Sequence, residues 1–523
     1  MGDIKKIVYF LDFLDCLGGS NKVLLTQAYI MKKKGYHVKM VIPACEGEAP
    51  VDECCATWEK YGLEVLYAKY TISACMENIN ILDALRDYKD IVRLLKEDKP
   101  DLIHSAQLNI AVELASRELR IPHLMNIYPA DAEEFNLDWT RIYPSYHSAD
   151  SILFSERWGK GLRIPSRCIR VAYEVDNNQG KRLTEKANVE TVILSIGVFC
   201  EHKNQLEMIK FALQCKKNGN NIRIIFLGVN SNSYGKRCRE FVDLHGMWDY
   251  IRFEGFVLNI EDYFKEADLF ILSSTVESYP GVIVESMANK VPIISTPVAG
   301  VPELLIDGKN GFLAGGYKAD HIYEAFLRYL TYKQNDQIIQ IVKNAYGTYL
   351  KNHTYEAVGN QLEDYYKWIV QDYNRKEFSD LAADEVEKKL RTFMKERKID
   401  KVTPIMRNQI WFIYHVLLNR QQKDNKRIAI WGAGFWGGQV LEWIHVLGEQ
   451  SWLVGFIDIY KTGTYLGYPI IQNMDKILDE CGTIFVALEN PKAISDVMQY
   501  LEKQGKVRNQ DYFLTCNSPL LRI

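Results

Sequence analysis

The sequence predicts parallel α/β architecture: two sheet-based halves joined by a linker, then a helical stretch, then a third and smaller α/β unit. Three observations carry this expectation. Short apolar runs alternate with helical-period segments from the first residues to about Lys351, as expected of strands buried on both faces and joined by crossover helices. Residues 178–190 (NQGKRLTEKANVE) are polar and unpatterned, as a linker would be. Far downstream, Arg427–Trp431 reads as a strand running into Gly432-Ala433-Gly434-Phe435-Trp436-Gly437. A chain of 523 residues is also too long for one ordinary core, and length alone suggests about three domains.

Taken in order, Ile7–Phe10 is the first expected strand and Leu17-Gly18-Gly19-Ser20 the turn after it. Asn21 to Lys34 is predicted as a helix ended by Gly35. Val38–Ile42, Asp101–Ile103, Leu124–Ile127 and Ile152–Phe154 are expected to continue the same sheet. A second set of strands is expected at Val192–Ile196, Ile222–Leu227, Ile251–Phe253, Leu269–Leu272 and Pro292–Ser295, with helices between. Residues 375–424 look helical. Asp384–Lys398 is densely charged, with Val386, Leu390, Phe393 and Met394 at helical spacing, whereas Pro404–Leu418 is far more apolar. One reading packs this pair on the core or a partner subunit; the other makes it an interfacial helix touching a membrane. In the last unit a second strand, Leu453–Ile457, ends at Asp458.

Composition narrows the function classes. The chain is 47% hydrophobic and 25% charged, with a net charge of −3, so nothing points to nucleic acid or to a strong pull toward anionic lipid. The eleven cysteines show no CxxC spacing, which supports neither a zinc ribbon nor a thioredoxin-like motif; buried reduced thiols in a cytosolic protein are the plain reading. Asp12 and Asp15 interrupt the N-terminal apolar patch too early for a signal peptide, and no run approaches the length of a membrane span. The expected location is cytoplasmic, with a peripheral contact at the inner face of the membrane left open.

The most informative stretch is Ser274 to Gly300, STVESYPGVIVESMANKVPIISTPVAG. Glu277 follows the apolar run Leu269–Leu272, and so sits where open α/β sheets bind ligands. Pro280 lacks an N–H and suits the first turn of a helix, while Gly281 lets a ligand approach the backbone. The amides of Gly281 and Val282 would then face the crevice with the positive end of the helix dipole behind them, a geometry suited to a diphosphate. Glu277 and Glu285, with seven residues between them, could accept hydrogen bonds from sugar and ribose hydroxyls. The bland alternative is that one is a solvated loop residue and the other faces water on a helix.

The run Glu277-Ser278-Tyr279-Pro280-Gly281, then Glu285-Ser286-Met287-Ala288, then Pro292-Ile293-Ile294-Ser295-Thr296 and Gly300-Val301-Pro302-Glu303-Leu304, resembles the donor-site signature of the retaining glycosyltransferases of family 4. The likeness continues through Asn310-Gly311-Phe312-Leu313 and covers roughly residues 4 to 373. It implies the GT-B fold, two Rossmann-like domains facing across a cleft that holds the donor, with Tyr355–Tyr373 as a last helix crossing back to the first domain. The expected limits are 1–180 for the acceptor-side domain (with the crossing helix 353–374), 181–352 for the donor domain, 375–424 for a helical linker and 425–523 for the small Rossmann-like domain.

The activity implied is metal-independent retaining transfer, with no cofactor, from a nucleoside-diphosphate sugar to a hydroxyl of a glycan, lipid-linked or protein acceptor. A UDP-sugar is the first expectation for the donor, and cell-surface polysaccharide synthesis for the setting. Lys203, in Gly197-Val198-Phe199-Cys200-Glu201-His202-Lys203-Asn204-Gln205, matches the family's diphosphate-binding lysine. The catalytic set implied is Glu277, Lys203 and Tyr128, and the donor-binding set adds Gly19, Asn204, Phe256, Gly281, Val282 and Glu285. Gly255-Phe256-Val257 fits the loop that contacts the base, and Gly228 reads as a tight-turn glycine. Three departures stand out: Val198 where arginine is usual, Tyr128 where an active-site histidine is usual, and Tyr173-Glu174-Val175-Asp176 for Asn-Gly-Val-Asp. A guanidinium clamp is not replaceable by valine; His202 or Arg223 are the compensating candidates. His104 matches a strand-end histidine of the family and reads equally well as structural. The departures keep open a rival, a non-catalytic glycosyltransferase-like subunit that steadies an active enzyme.

In the third unit, Gly432, Gly434 and Gly437 follow a strand, precede a helix and have Asp458 about twenty residues on, the context of a dinucleotide fingerprint. Trp436 is bulky for a loop that must admit pyrophosphate. Gly467-Tyr468-Pro469-Ile470 resembles small Rossmann-like domains attached to sugar-modifying enzymes. Three roles stay open: structure or homo-oligomerisation, nucleotide or nucleotide-sugar binding, and independent redox catalysis.

Overall fold

The computed structural model describes residues 4–11, 19–43, 61–68, 70, 81–106, 109–126, 145–156, 165–175, 190–257, 259–374, 427–506 and 511–514, with isolated positions between 388 and 416. Three sheets organise them. The first is formed by β1 (Lys6–Phe10), β2 (His37–Pro43), β3 (Glu64–Ala68), β4 (Leu102–Ala106), β5 (His123–Asn126), β6 (Tyr146–Ala149) and β7 (Ser166–Cys168), all parallel in the order β3-β2-β1-β4-β5-β6-β7. Successive residues of β1 point to opposite faces, and both faces are buried. Val8 and Phe10 join one apolar cluster; Ile7 and Tyr9 join another.

One predicted strand is replaced. Residues 152–156 are helical, and the sheet is continued instead by β6, whose sequence YHSA looks too polar for a core. Three of its side chains find hydrogen-bond partners there. Tyr146 Oη donates to Asp372 Oδ2 (2.8 Å), His147 Nδ1 meets Ser166 Oγ (2.7 Å) and Ser148 Oγ meets Asn126 Oδ1. The Ile152 and Leu153 amides, freed by the helical turn, donate to the Glu303 carboxylate (both 2.9 Å).

The second sheet comprises β8 (Thr191–Ile196), β9 (Ile222–Leu227), β10 (Ile251–Gly255), β11 (Leu269–Leu272), β12 (Ile293–Ser295) and β13 (Phe312–Leu313), parallel in the order β10-β9-β8-β11-β12-β13. The helix Gln205–Lys217 covers one face through Met208, Ile209, Phe211 and Ala212. The helix Gly281–Ala288 covers the other through Ile283, Val284 and Met287. Thr354 caps the helix Tyr355–Tyr373, accepting from the Ala357 amide (3.1 Å). That helix packs on the first sheet: Val358, Leu362, Tyr365, Tyr366, Ile369 and Tyr373 are buried in one cluster with Ile7 and Tyr9. Each such side chain stabilises by about 1.5–3 kcal/mol relative to exposure, which ties the end of the second unit to the first.

The third sheet contains β14 (Ile428–Trp431), β15 (Leu453–Ile457), β16 (Thr464–Tyr465), β17 (Tyr468–Ile471), β18 (Thr483–Val486) and β19 (Tyr512–Leu514), in the order β16-β17-β15-β14-β18-β19. Only β16 and β17 pair antiparallel. In the preceding stretch, Ile413 and Val416 are each 1% exposed, within a cluster that also holds Ile91 and Leu95 of the first unit and Trp443 and Ile444 of the third. At these two positions the apolar segment is packed against protein. Most of both predicted helices there, together with Gly18, Tyr128, Asp176 and residues 178–189, lies outside the described residues.

Candidate active site

The strand order of the second sheet reverses direction between β8 and β11, so their two C-terminal loops diverge and leave a crevice at the sheet edge. The chain binds those loops together through backbone and side chain. Asn204 Nδ2 donates to Ser273 O (3.1 Å) and Tyr317 O (2.8 Å), Ser273 Oγ to Lys203 O (2.9 Å), and the Thr275 amide to His202 O (2.7 Å). Gly228, after β9, has φ +137°, and a Cβ there would lie 2.1 Å from Gly197 O. Close backbone approach, more than a turn alone, requires glycine at that position.

Two nearly buried carboxylates flank the crevice. Glu277 (8% exposed) accepts from Lys203 Nζ (2.5 Å) and Ser274 Oγ (2.6 Å) through one oxygen. Glu285 (6% exposed) accepts from Lys22 Nζ (2.8 Å), which arrives from the first unit on the helix Gly19–Lys33. The facing Glu285 charge raises the Lys22 ammonium above its usual range. Between the carboxylates begins the helix Gly281–Ala288, with Pro280 as its N-cap and no side chain capping it. Pro280 therefore sits one position earlier than expected, and the Gly281 and Val282 amides open the helix.

Other candidates are placed as follows. Val198 is half-exposed and brings no charge to the loop. His202 Nε2 lies 3.3 Å from Cys200 Sγ. Arg223 cannot compensate for the missing arginine: it is the second residue of β9, at the strand end away from the crevice, and pairs with Glu190 (3.3 Å) and Glu266 (3.2 Å). Phe256 is exposed just beyond β10, and Gly19 is the exposed first residue of its helix. His104 is fully buried, with Nδ1 2.6 Å from Tyr366 Oη, and burial lowers its pKa to about 3; this is a structural placement. Glu174 pairs with Lys33 (3.2 Å).

Among the contacts that join the facing units, sequence reading missed three side-chain pairs. They are Lys22 with Glu285, Ser278 Oγ with Asp150 Oδ1 (2.8 Å), and Arg170 Nη1 with Glu303 Oε2 (2.7 Å). Lys22 stands directly after the Gly-Gly-Ser-Asn turn; the other two carry no local signal. Burial pushes the Asp150 carboxyl up to about 7, against an ordinary value of 3.8. The folded chain thus holds a proton that the unfolded chain loses, so stability falls as pH rises from about 4 through 7. In Asp150→Asn the difference in unfolding midpoint between pH 5 and pH 8 is expected to be smaller than in the wild type, read by denaturant titration at both pH values.

In the third unit, Gly432 has φ +114°, and a Cβ on Gly437 would lie 1.9 Å from Gly432 O, so the loop packs tightly on its helix. Nothing lies within 4 Å of a Cβ built on Gly434, which opens the helix Phe435–Leu447. Asp458 accepts from the amides of Ala433 (3.1 Å), Tyr460 (2.9 Å) and Lys461 (3.1 Å). Its carboxylate already ties the glycine loop to the loop after β15, and a ribose there would have to share it.

Residues 178–347 match the model of the family described as glycosyl transferases group 1. That segment is thus similar to a group 1 glycosyltransferase domain. The chain is similar over 178 residues, at 25% identity, to the putative colanic acid biosynthesis glycosyltransferase WcaL of Salmonella typhimurium, covering 32% of this chain and 43% of WcaL. Over 110 residues it is 31% identical to the capsular polysaccharide biosynthesis glycosyltransferase CapH of Staphylococcus aureus, covering 21% of this chain and 31% of CapH. The chain thus spans less than half the length of the curated relatives it matches. Among solved structures, the first two units resemble HepE of Anabaena in complex with UDP and glucose, with TM-score 0.56 and 18% identity, over 70% of this chain and all (100%) of HepE. A glycosyltransferase from Rickettsia africae superposes with TM-score 0.57 and 14% identity, over 70% of this chain and 99% of its own. The first two units therefore have the GT-B fold, and the C-terminal sheet domain is an addition to it. Among the described residues no helix is long and apolar enough to cross a membrane, and no three His, Cys, Asp or Glu side chains are grouped to hold a metal ion.

Proposed function

We propose that the protein is a retaining glycosyltransferase that transfers a sugar from a nucleoside diphosphate, with UDP the first expectation, to a glycan, lipid-linked or protein acceptor in cell-surface polysaccharide synthesis. The observation that carries this reading is the uncapped start of the helix Gly281–Ala288, flanked by Glu277 with Lys203 and by Glu285 with Lys22. In this reading Lys203 and the Gly281 and Val282 amides hold the diphosphate, Glu277 the donor-sugar hydroxyls, and Glu285 the ribose. Asn204 steadies the lysine loop, Gly19 and Phe256 border the donor, and Tyr128 is assigned to the catalytic set by the family resemblance alone. The acceptor oxygen attacks the anomeric carbon on the face that the nucleotide leaves. The anomeric C–O bond to phosphate breaks with its electron pair on the diphosphate, whose charge lysine and helix amides stabilise, and the hydroxyl proton passes to a departing phosphate oxygen. Cationic side chains and amides supply the electrophilic stabilisation, so no metal or cofactor is assigned.

Named polysaccharide enzymes among the relatives, and UDP in the HepE complex, support this setting. The uncharged Val198 favours the second reading, a non-catalytic partner of an active transferase. Turnover by the isolated full-length chain separates the two. Release of nucleoside diphosphate from a UDP-sugar with a polysaccharide acceptor, undiminished by EDTA and giving a product of retained configuration, is the expected result. No release from any UDP-, GDP- or ADP-sugar would favour the non-catalytic partner.

A further inference from the structure

We propose that Lys22, carried by the first unit, is a second cation of the donor diphosphate site, moving from Glu285 to the phosphates when the nucleotide's ribose takes its place on that carboxylate. This rests on the glycosyltransferase reading above and names a residue that the sequence signature does not contain.

Charge is the first reason. A nucleoside diphosphate brings more than one negative charge to a crevice that already holds Glu277 and Glu285. On the donor side stand Lys203, itself paired with Glu277, and a helix start worth about half a positive charge. Val198 adds nothing. A second cation from across the cleft would balance the anion.

Placement is the second reason. Glu285 lies one turn into its helix, about 6 Å along the axis from Gly281, and its Cα–Cβ bond tilts back toward the helix start. The Lys22 ammonium, 2.8 Å from Glu285 Oε1, is therefore on the helix face that Gly281 shares, on the side toward the helix start. Val23, the next residue, packs against the donor-unit cluster that includes Ile283 and Val284, which anchors the lysine backbone at this spot.

Mobility is the third. The Glu285 side chain is 7% exposed, while that of Lys22 is 52% exposed. The carboxylate is enclosed, while the lysine keeps solvent beside a flexible four-carbon stem that can reach a second anion. Ribose hydroxyls arriving on Glu285 would keep that carboxylate satisfied, so the exchange would leave no buried charge uncompensated.

The test is calorimetric titration of the full-length chain with UDP, GDP and ADP and with the matching monophosphates, in EDTA. Lys22→Ala and Lys22→Gln are expected to weaken the diphosphate that binds at least tenfold, about 1.4 kcal/mol, and the monophosphate less than threefold. Val198→Arg in the Lys22→Ala background is expected to recover most of the loss. Equal diphosphate affinity in the wild type and both variants, or an equal loss for mono- and diphosphate, would overturn the proposal and leave Lys22 as a tether of Glu285. Absence of binding by the wild type to any of the three would overturn the glycosyltransferase reading together with it.

Discussion

Glu277→Ala is expected to abolish sugar transfer while the fold and nucleotide binding survive. The wild-type carboxylate is held in place by Lys203 and Ser274 through one oxygen, and the residue is only 8% exposed, so it is positioned with little freedom. Charge-assisted hydrogen bonds to donor-sugar hydroxyls are worth roughly 1.5–3 kcal/mol each. Misplacing the anomeric carbon by an ångström costs about a hundredfold more. We therefore expect turnover to fall by more than about a hundredfold. Removing the carboxylate releases Lys203 for the diphosphate, so affinity for the nucleotide is expected to hold or rise. Steady-state kinetics beside a binding titration reads both, and near-normal turnover in the variant would refute the assignment.

The second large effect is structural. Glu113 is fully buried on the helix Ile110–Leu119 and accepts from Arg117 Nε (2.7 Å), Ser145 Oγ (2.7 Å) and His123 Nδ1 (2.8 Å). Burial alone would raise its pKa, but Arg117, His123 and Ser145 outweigh it and hold the carboxyl at about 2, against an ordinary 4.5. The folded pKa lies below the unfolded one. The stabilisation is present above pH 4.5 and is lost as pH falls toward 2. Glu113→Gln removes the charge facing Arg117 and is expected to cost about 3 kcal/mol at neutral pH. Its unfolding curve is expected to be flatter than that of the wild type over the acid window. Because the chain has several domains, the reading should come from the first unit's own transition, and an unchanged midpoint at pH 7 would contradict this account.

Legibility followed sequence distance. The helix start at Gly281, the crevice after β11 and the loop bearing Lys203 could be read from the sequence because each is written in consecutive residues. The parallel sheets were legible for the same reason, since apolar runs such as Leu269–Leu272 declare a strand buried on both faces. β6 was not, because YHSA becomes a core strand only through partners such as Asp372, more than two hundred residues away. Lys22 was invisible for a similar reason: its significance depends on Glu285, and the two are 263 residues apart. Asp458 shows a different limit. Its spacing from the glycine loop fits a ribose contact, yet the same spacing also lets three backbone amides claim the carboxylate, and spacing alone does not separate the two.

The most direct test of the central claim is thermal unfolding of the full-length chain against UDP, GDP, ADP and their common sugar conjugates, with EDTA throughout. A ligand at a hundredfold excess over its dissociation constant stabilises by about 2.7 kcal/mol. The account predicts a clear upward shift with one nucleoside diphosphate, lost in Lys203→Ala and in Glu285→Ala. No shift with any of them, or a shift that survives both substitutions, would contradict a donor site at the start of the helix Gly281–Ala288.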